Sequence, residues 1–294
     1  MRHLLATLLL LAALAAGQVS TLWWAAGARQ ALPLPEDHGY VLPGPLLRVV
    51  AGEFRGLAAD FCFLQGLTAY GRLLEGSGPS QARYSDWQRV YRLLDAATDL
   101  DPYFFDPYYF GNAVLSRNPE MIPRINQLLE KGLEWRDWDW LLPFYLGFNH
   151  FYYLQDSGRA AEYLMLGAQR PDAMPLLATL AARLAYQENR TENAIVFLRG
   201  ILSRTEDERT RELYQVRLEA LEKIHYLEQA VLVYRQHYGE MPGTLKVLQE
   251  RGVISAIPED PYGGTFYLDA DGSVKSTSEL TYAKGGTSKE IPAN

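Results

Sequence analysis

Cysteine is nearly absent from this chain of 294 residues: Cys62 stands alone, which excludes an internal disulfide, a CxxC pair and a thiolate cluster for a metal. It lies in the apolar run Phe61-Cys62-Phe63-Leu64 and reads as a buried, inert thiol. Histidine is scarce as well, with five residues at 3, 38, 150, 225 and 237 and no HExxH or comparable ligand spacing. No metal site and no cofactor is expected from such a set. A GxSxG elbow, a P-loop and a dinucleotide glycine fingerprint are also missing, and Gly263-Gly264 and Gly285-Gly286 read as turn and tail glycines. Positive charge is not in excess: 28 Lys and Arg against 35 Asp and Glu leave a net charge of -7. A phosphate-binding surface normally needs a basic face, so nucleic acid is not an expected partner.

What is present is apolar. With 48% hydrophobic and 21% charged residues the chain can bury a sizeable core, as one elongated domain or two compact ones. Arg2 and His3 precede the apolar run Leu4 to Ala16, and no charge follows before Arg29. Residues 1-28 therefore read as a signal peptide, with Ala13-Leu14-Ala15 as a small-x-small site, or as an N-terminal membrane anchor with Trp23 and Trp24 at its outer interface. Both readings place the body outside the cytoplasm, anchored in the inner membrane or released to the periplasm if the segment is cleaved. No cysteine follows the apolar run, so a lipoprotein anchor is not expected. Residues 29-45 hold Pro33, Pro35, Pro43 and Pro45 with little periodicity, which describes an extended spacer.

The body, residues 46-238, is patterned for helices. Phe54, Leu57, Phe61 and Leu64 fall at spacings of three, four and three and share a helix face. Ser85 reads as the N-cap of a helix whose Trp87, Val90, Tyr91, Leu94 and Ala97 share another. That helix runs into Asp101-Pro102-Tyr103-Phe104-Phe105-Asp106-Pro107-Tyr108-Tyr109-Phe110. Each proline there disfavours helical geometry in the residue before it and suits the start of a helix, which predicts one helix ending near Leu100 and another beginning near Pro107. Similar breaks recur at Asp137, Pro171 and Thr205, about 34 residues apart. A long helix, roughly Glu206 to Tyr238, follows, with Leu213, Ala220, Ile224, Leu227, Val231, Tyr234 and Tyr238 as its apolar stripe and Arg209, Arg211, Glu212 and Glu219 on a solvated face.

The exit Ala97 to Pro102 and this period resemble the tetratricopeptide repeat family, in which an alanine five residues before a proline closes each helix pair. Leu146-Gly147, Ala161 with Ala168, and Ala182 with Ala194 match the family's small positions. The resemblance implies a mainly α fold of antiparallel helix pairs stacked into a superhelix with a concave protein-binding surface. Small residues suit such positions physically, because two helices approach closely only where side chains are short.

The end of the chain changes character. Gly239 and Pro242 stop the long helix, Thr244 to Glu250 reads as a short helix, and Thr265 to Leu268 with Ser273 to Thr277 as two strands joined through Asp271-Gly272. Residues 239-283 thus form a small C-terminal β-hairpin module, followed by a flexible tail, 284-294. Ala230-x3-Tyr234-x4-Gly239-x2-Pro242 with Ile257-Pro258-Glu259-Asp260-Pro261-Tyr262-Gly263 resembles the C-terminal region of type II secretion major pseudopilins, over about 40 residues. The resemblance implies a partner in a pilus-like or secretion assembly. Asp269-x-Asp271-Gly272 alone is better explained as a hairpin turn than as a calcium loop, which needs six or more oxygens.

For a binding surface the aromatic residues are the candidates: Tyr103, Tyr108, Tyr109, Trp138, Trp140, Tyr145 and Tyr152. Phe144, Phe148 and Phe151, at spacings of four and three, read as the packing face of a repeat helix, and His150 as a satisfied packing residue. Asp60, with Arg55 five residues before it, reads as a buried polar contact between repeats. Two functions follow as expectations. The first is a non-enzymatic envelope adaptor or scaffold that binds a protein segment. The second is a glycan-active cell-wall enzyme using Asp137 or Asp139 in an aromatic groove; as helix N-caps, however, these aspartates need no catalytic role.

Overall fold

The computed structural model describes residues 14-23, 41-75 and 82-281. The signal or anchor residues before 14, most of the spacer, the break at Gly76 to Ser80 and the tail from Lys284 lie outside them. The chain divides into two units, Met1–Leu42 and Pro43–Asn294. In the first, residues 14-23 are helical and exposed. No helix among the described residues is long and apolar enough to cross a membrane.

The second unit is mainly helical and ends in a two-stranded antiparallel sheet. Its helices are α1 (Gly44–Ala51), α2 (Arg55–Glu75), α3 (Tyr84–Leu100), α4 (Asp106–Leu115), α5 (Ile122–Leu133), α6 (Leu141–Tyr152), α7 (Ser157–Ala168), α8 (Pro175–Gln187), α9 (Thr191–Leu202), α10 (Glu208–Tyr238) and α11 (Leu245–Glu250). Strands β1 (Phe266–Leu268) and β2 (Val274–Ser276) pair with Phe266 opposite Ser276 and Leu268 opposite Val274.

Local chemistry sets the ends. α3 stops at Leu100 because Pro102 follows, and α4 starts with Pro107 in its first turn, where a missing N–H costs nothing. The Asp156 and Asp207 carboxylates accept from the Arg159 and Thr210 N–H groups and cap α7 and α10. Gly239, at φ 76°, ends α10 in the left-handed region that a side chain would resist. The start of α3 differs from the sequence expectation. It begins at Tyr84, and Asp86, not Ser85, holds the terminus by accepting from the Arg83 N–H.

Apart from α1, which packs chiefly on α3, each helix packs chiefly on its neighbours in the chain, and glycines mark the closest approaches. A Cβ on Gly147 of α6 would lie 2.7 Å from Leu164 of α7, and one on Gly132 of α5 2.8 Å from Leu142 of α6. Two cores result. The first gathers Trp87, Leu94, Tyr108, Ile125, Leu129, Leu142 and Leu146 from α3 to α6. The second joins α7 to α10 with the C-terminal segment, which contributes Leu245, Leu248, Tyr262, Phe266, Val274 and Leu280. That segment therefore shares a core with the preceding helices. Asp260 organises it. Burial alone would raise its pKa, but hydrogen bonds from Ser276, Ser278 and the backbone N–H groups of Tyr262 and Gly264 hold the carboxyl below its usual range. The Asp271 carboxylate accepts from Ser273, closing the hairpin turn at Gly272 (φ 86°).

Three apolar or polar assignments from sequence spacing need correction. On α2 the buried side is Ala59, Gly66 and Leu73, whereas Leu57, Phe61 and Leu64, with Phe54 of the 3-10 turn Gly52–Phe54 before it, are exposed. On α6 the packing side is Leu142, Leu146, Asn149 and His150, whereas Phe148 and Phe151 face outward. Asn149 turns inward because Asn112 of α4 and Asn126 of α5 accept from its Nδ2 at 2.9 Å and 2.8 Å. Asp60 is exposed and is not a buried contact, and the Arg55 Nε donates to the Gly52 carbonyl instead. Cys62 is half-buried, which pushes its thiol pKa up.

Candidate functional site

The aromatic candidates converge on two connections, the turn between α3 and α4 and the loop between α5 and α6. The first turn is fixed by its own polar groups. The Asp101 carboxylate accepts from the Tyr103 N–H at 2.9 Å, the Asp101 carbonyl accepts from Phe104, and the Tyr108 hydroxyl donates to the Pro102 carbonyl at 3.0 Å. This arrangement holds Tyr103 out of the core while drawing Tyr108 into it.

The second loop supplies Arg136, around which the surface is built. Its guanidinium sits 5.1 Å from the Phe105 ring centre and 5.3 Å from that of Trp138, within cation–π range of both. It donates to Asp139 through two nitrogens, at 3.0 Å and 2.9 Å, and to the Tyr103 carbonyl. Asp139 is buried, and its other oxygen accepts from the Leu141 N–H at the start of α6. Arg170, from the segment after α7, donates to the Arg136 and Asp139 carbonyls, and burial lowers its pKa from the ordinary arginine value. A largely desolvated ion pair in which two guanidinium nitrogens hold one carboxylate oxygen fixes geometry in a way that an exposed pair cannot.

Around Arg136 the rings form a continuous ladder. Tyr103 stacks on Trp138 (centres 6.1 Å apart, planes 10° apart) and meets Trp135 edge-on at 5.8 Å. On the other side of the guanidinium, Phe105 stacks on Tyr109 at 5.8 Å, Tyr109 meets Tyr145 at 6.3 Å, and Phe144 links Tyr145 to Trp140. Tyr103, Tyr109, Trp135 and Trp138 keep between 42% and 52% of their surface exposed. Burial pushes the Tyr145 hydroxyl up to about 12, so it remains a neutral donor throughout the physiological range.

The structure thus brings together five of the seven residues singled out from the sequence: Tyr103, Tyr109, Trp138, Trp140 and Tyr145. Trp140 and Tyr145 are only partly exposed. Tyr108 does not belong to a surface at all, since its ring is 0% exposed and burial raises its pKa. Tyr152 lies in a separate stack, 5.4 Å from Phe148 and 4.9 Å from Tyr153. Sequence reasoning gave Arg136 and Phe105 no role, although both lie in aromatic stretches that stood out in the sequence. The signal for the first was the Arg136–Asp139 spacing inside a tryptophan-rich loop, where a tight turn, closed by the Asp139 N–H on the Arg136 carbonyl, places the two side chains together.

The carboxylates of this region are structural in their contacts. Asp139 has both oxygens engaged, and Asp137 is exposed. On the inner side of α6, His150 is buried against Tyr163 with its Nδ1 3.7 Å from Asp156. Neither of its ring nitrogens has a hydrogen-bond partner, so it is not the satisfied residue expected from the sequence. Burial lowers its pKa below the ordinary histidine value and outweighs the nearby Asp156, so it is neutral at pH 7. Among the described residues no group of three or more His, Cys, Asp or Glu is placed to hold a metal.

No protein-family model, no curated protein and no solved structure matches the chain.

Proposed function

We propose that the chain is a non-enzymatic adaptor of the cell envelope, held at the membrane through its N-terminal apolar segment, whose helices form a tetratricopeptide-like superhelical stack that binds a protein segment along the aromatic ladder. The observation that carries this reading is the ladder itself. Exposed Tyr103, Tyr109, Trp135 and Trp138 are pre-positioned by the Arg136–Asp139 pair. Rigid aromatic anchors around a fixed arginine are the residue types that dominate binding energy at protein interfaces, because they bury large areas at little cost in side-chain entropy. The segment bound is one with apolar side chains. The pseudopilin-like sequence around Asp260 points to a partner in a pilus-like or secretion assembly.

Affinity capture of the intact chain from its own membranes, beside a Tyr103→Ala/Trp138→Ala version, tests the reading. An envelope protein enriched with the native chain and at least tenfold less with the variant supports it. Equal enrichment, or none with either, overturns it. Removing everything after Tyr238 is a poorer test, because Leu245, Leu248, Val274 and Leu280 belong to the core.

A further inference from the structure

Beside the ladder, the described residues of the second unit expose a run of apolar side chains along α1, α2 and the turn between them. Val49, Val50, Phe54, Leu57, Phe61 and Leu64 are between 58% and 79% exposed. An exposed run of large apolar side chains of this kind marks an interaction surface, unlike single scattered ones.

Three observations say what covers it. The stripe is narrow and regular: Phe54, Leu57, Phe61, Leu64 and Thr68 recur at three, four, three and four, the spacing of a coiled-coil seam and not of a broad lipid-facing arc. Its two ends are complementary in size. The N-terminal end carries Phe54 and Leu57, and the C-terminal end carries Thr68 and Gly71, where a Cβ would meet nothing within 4 Å. A twofold axis crossing α2 at the level of Cys62 and Phe63 therefore sets Phe61 against Leu64 of a second copy, Leu57 against Thr68, and Phe54 against the open space at Gly71. Each pair occurs twice, as an isologous interface requires. The same axis brings Glu53 and Asp60 to the level of Arg72 and Gln65 of the second copy, so no like charges meet. In a parallel arrangement Phe54 and Phe61 would each face themselves, and Gly71 would face Gly71 across a void.

From this we infer that the α1–α2 face pairs with a second copy of the chain, α2 against α2 and antiparallel. The inference goes beyond the reading of the ladder and stands or falls independently of it.

The test uses the full chain in lipid vesicles with Cys62→Ala, which removes the only native thiol. Copies carrying Leu57→Cys are mixed with copies carrying Thr68→Cys and treated with a short bismaleimide. Covalent dimer should form several-fold more in the mixture than in either variant alone, because in the antiparallel pair like positions are offset by about 16 Å along the helix. Adding Phe61→Glu to both should abolish the dimer while leaving the circular dichroism unchanged, since that side chain touches no core in the single copy. Cross-linking of Leu57→Cys with itself at the higher yield would overturn the antiparallel pairing. No dimer, with a fluorophore at position 61 quenched by spin-labelled lipid, would assign the face to the bilayer and overturn the inference. No dimer with position 61 open to aqueous quencher, or shielded by another protein, would overturn it equally.

Discussion

The two exposed apolar surfaces of the second unit are built in opposite ways. The ladder gathers side chains from two loops and two helices, and a buried ion pair with two backbone caps fixes them in place. The outer face of α2 draws its apolar residues from one continuous stretch, and their order comes from helical geometry. An irregular surface needs local polar scaffolding to become a defined site, whereas a regular helix face needs only a matching helix. The first is suited to recognising one unlike partner, the second to repeating itself.

The largest effect expected from breaking this contrast is at Arg136. Arg136→Ala leaves the Asp139 carboxylate buried without its cation and releases the Tyr103 turn, so a loss of about 3 kcal/mol in denaturant unfolding is expected. The apolar side chains on the outer face of α2 carry no such buried charge, and Phe61→Glu should move the same measurement by less than about 0.5 kcal/mol.

Acid provides a second separation. Because the folded-state pKa of His150 is depressed, the unfolded chain takes up its proton first as pH falls. The stability that the neutral imidazole contributes is complete above the ordinary value of about 6.5 and is lost as pH drops from there through the folded-state pKa. Unfolding free energy measured between pH 7.5 and 5.5 should fall, with the near-ultraviolet signal of the α6 aromatics changing in step. In His150→Phe, which keeps the ring against Tyr163, that slope should flatten. A cysteine-attached probe on α2 should report no local change over the same range.

A small effect of opposite sign is expected at Gly71. Gly71→Ala has room and lies within a helix, so it should stabilise the single copy by about 0.5–1 kcal/mol in thermal unfolding, yet it should weaken association of the full chain by filling the space opposite Phe54. Opposite signs in the two measurements would sharpen the comparison; equal signs would break it.

What the sequence disclosed follows the range of the forces involved. The end of α3 at Leu100, the cap at Gly239 and the turn at Gly272 come from the backbone chemistry of Pro and Gly, which acts over one or two residues, and all three were legible. Which side of a helix faces inward was not. On α6 both Phe144-Phe148-Phe151 and Leu142-Leu146-Asn149 have helical spacing, and hydrophobicity favours the wrong one. Asn149 faces inward only because Asn112 and Asn126, 37 and 23 residues earlier, receive its hydrogen bonds. Tyr108 and Tyr109 are chemically identical neighbours, yet the Pro102 carbonyl draws one into the core and leaves the other on the ladder. The seam on α2 was visible as a pattern, but a pattern cannot say whether the chain's own helices cover it.

The position of Leu280 in the second core carries a consequence for folding. Among the described residues the fully buried side chains of the first core all lie within 73-146, so that half can close on contacts of short sequence separation. The half from Ala160 onward is completed only by Val274 and Leu280, more than about a hundred residues further along the chain, so its closure needs contacts of long sequence separation, which form slowly.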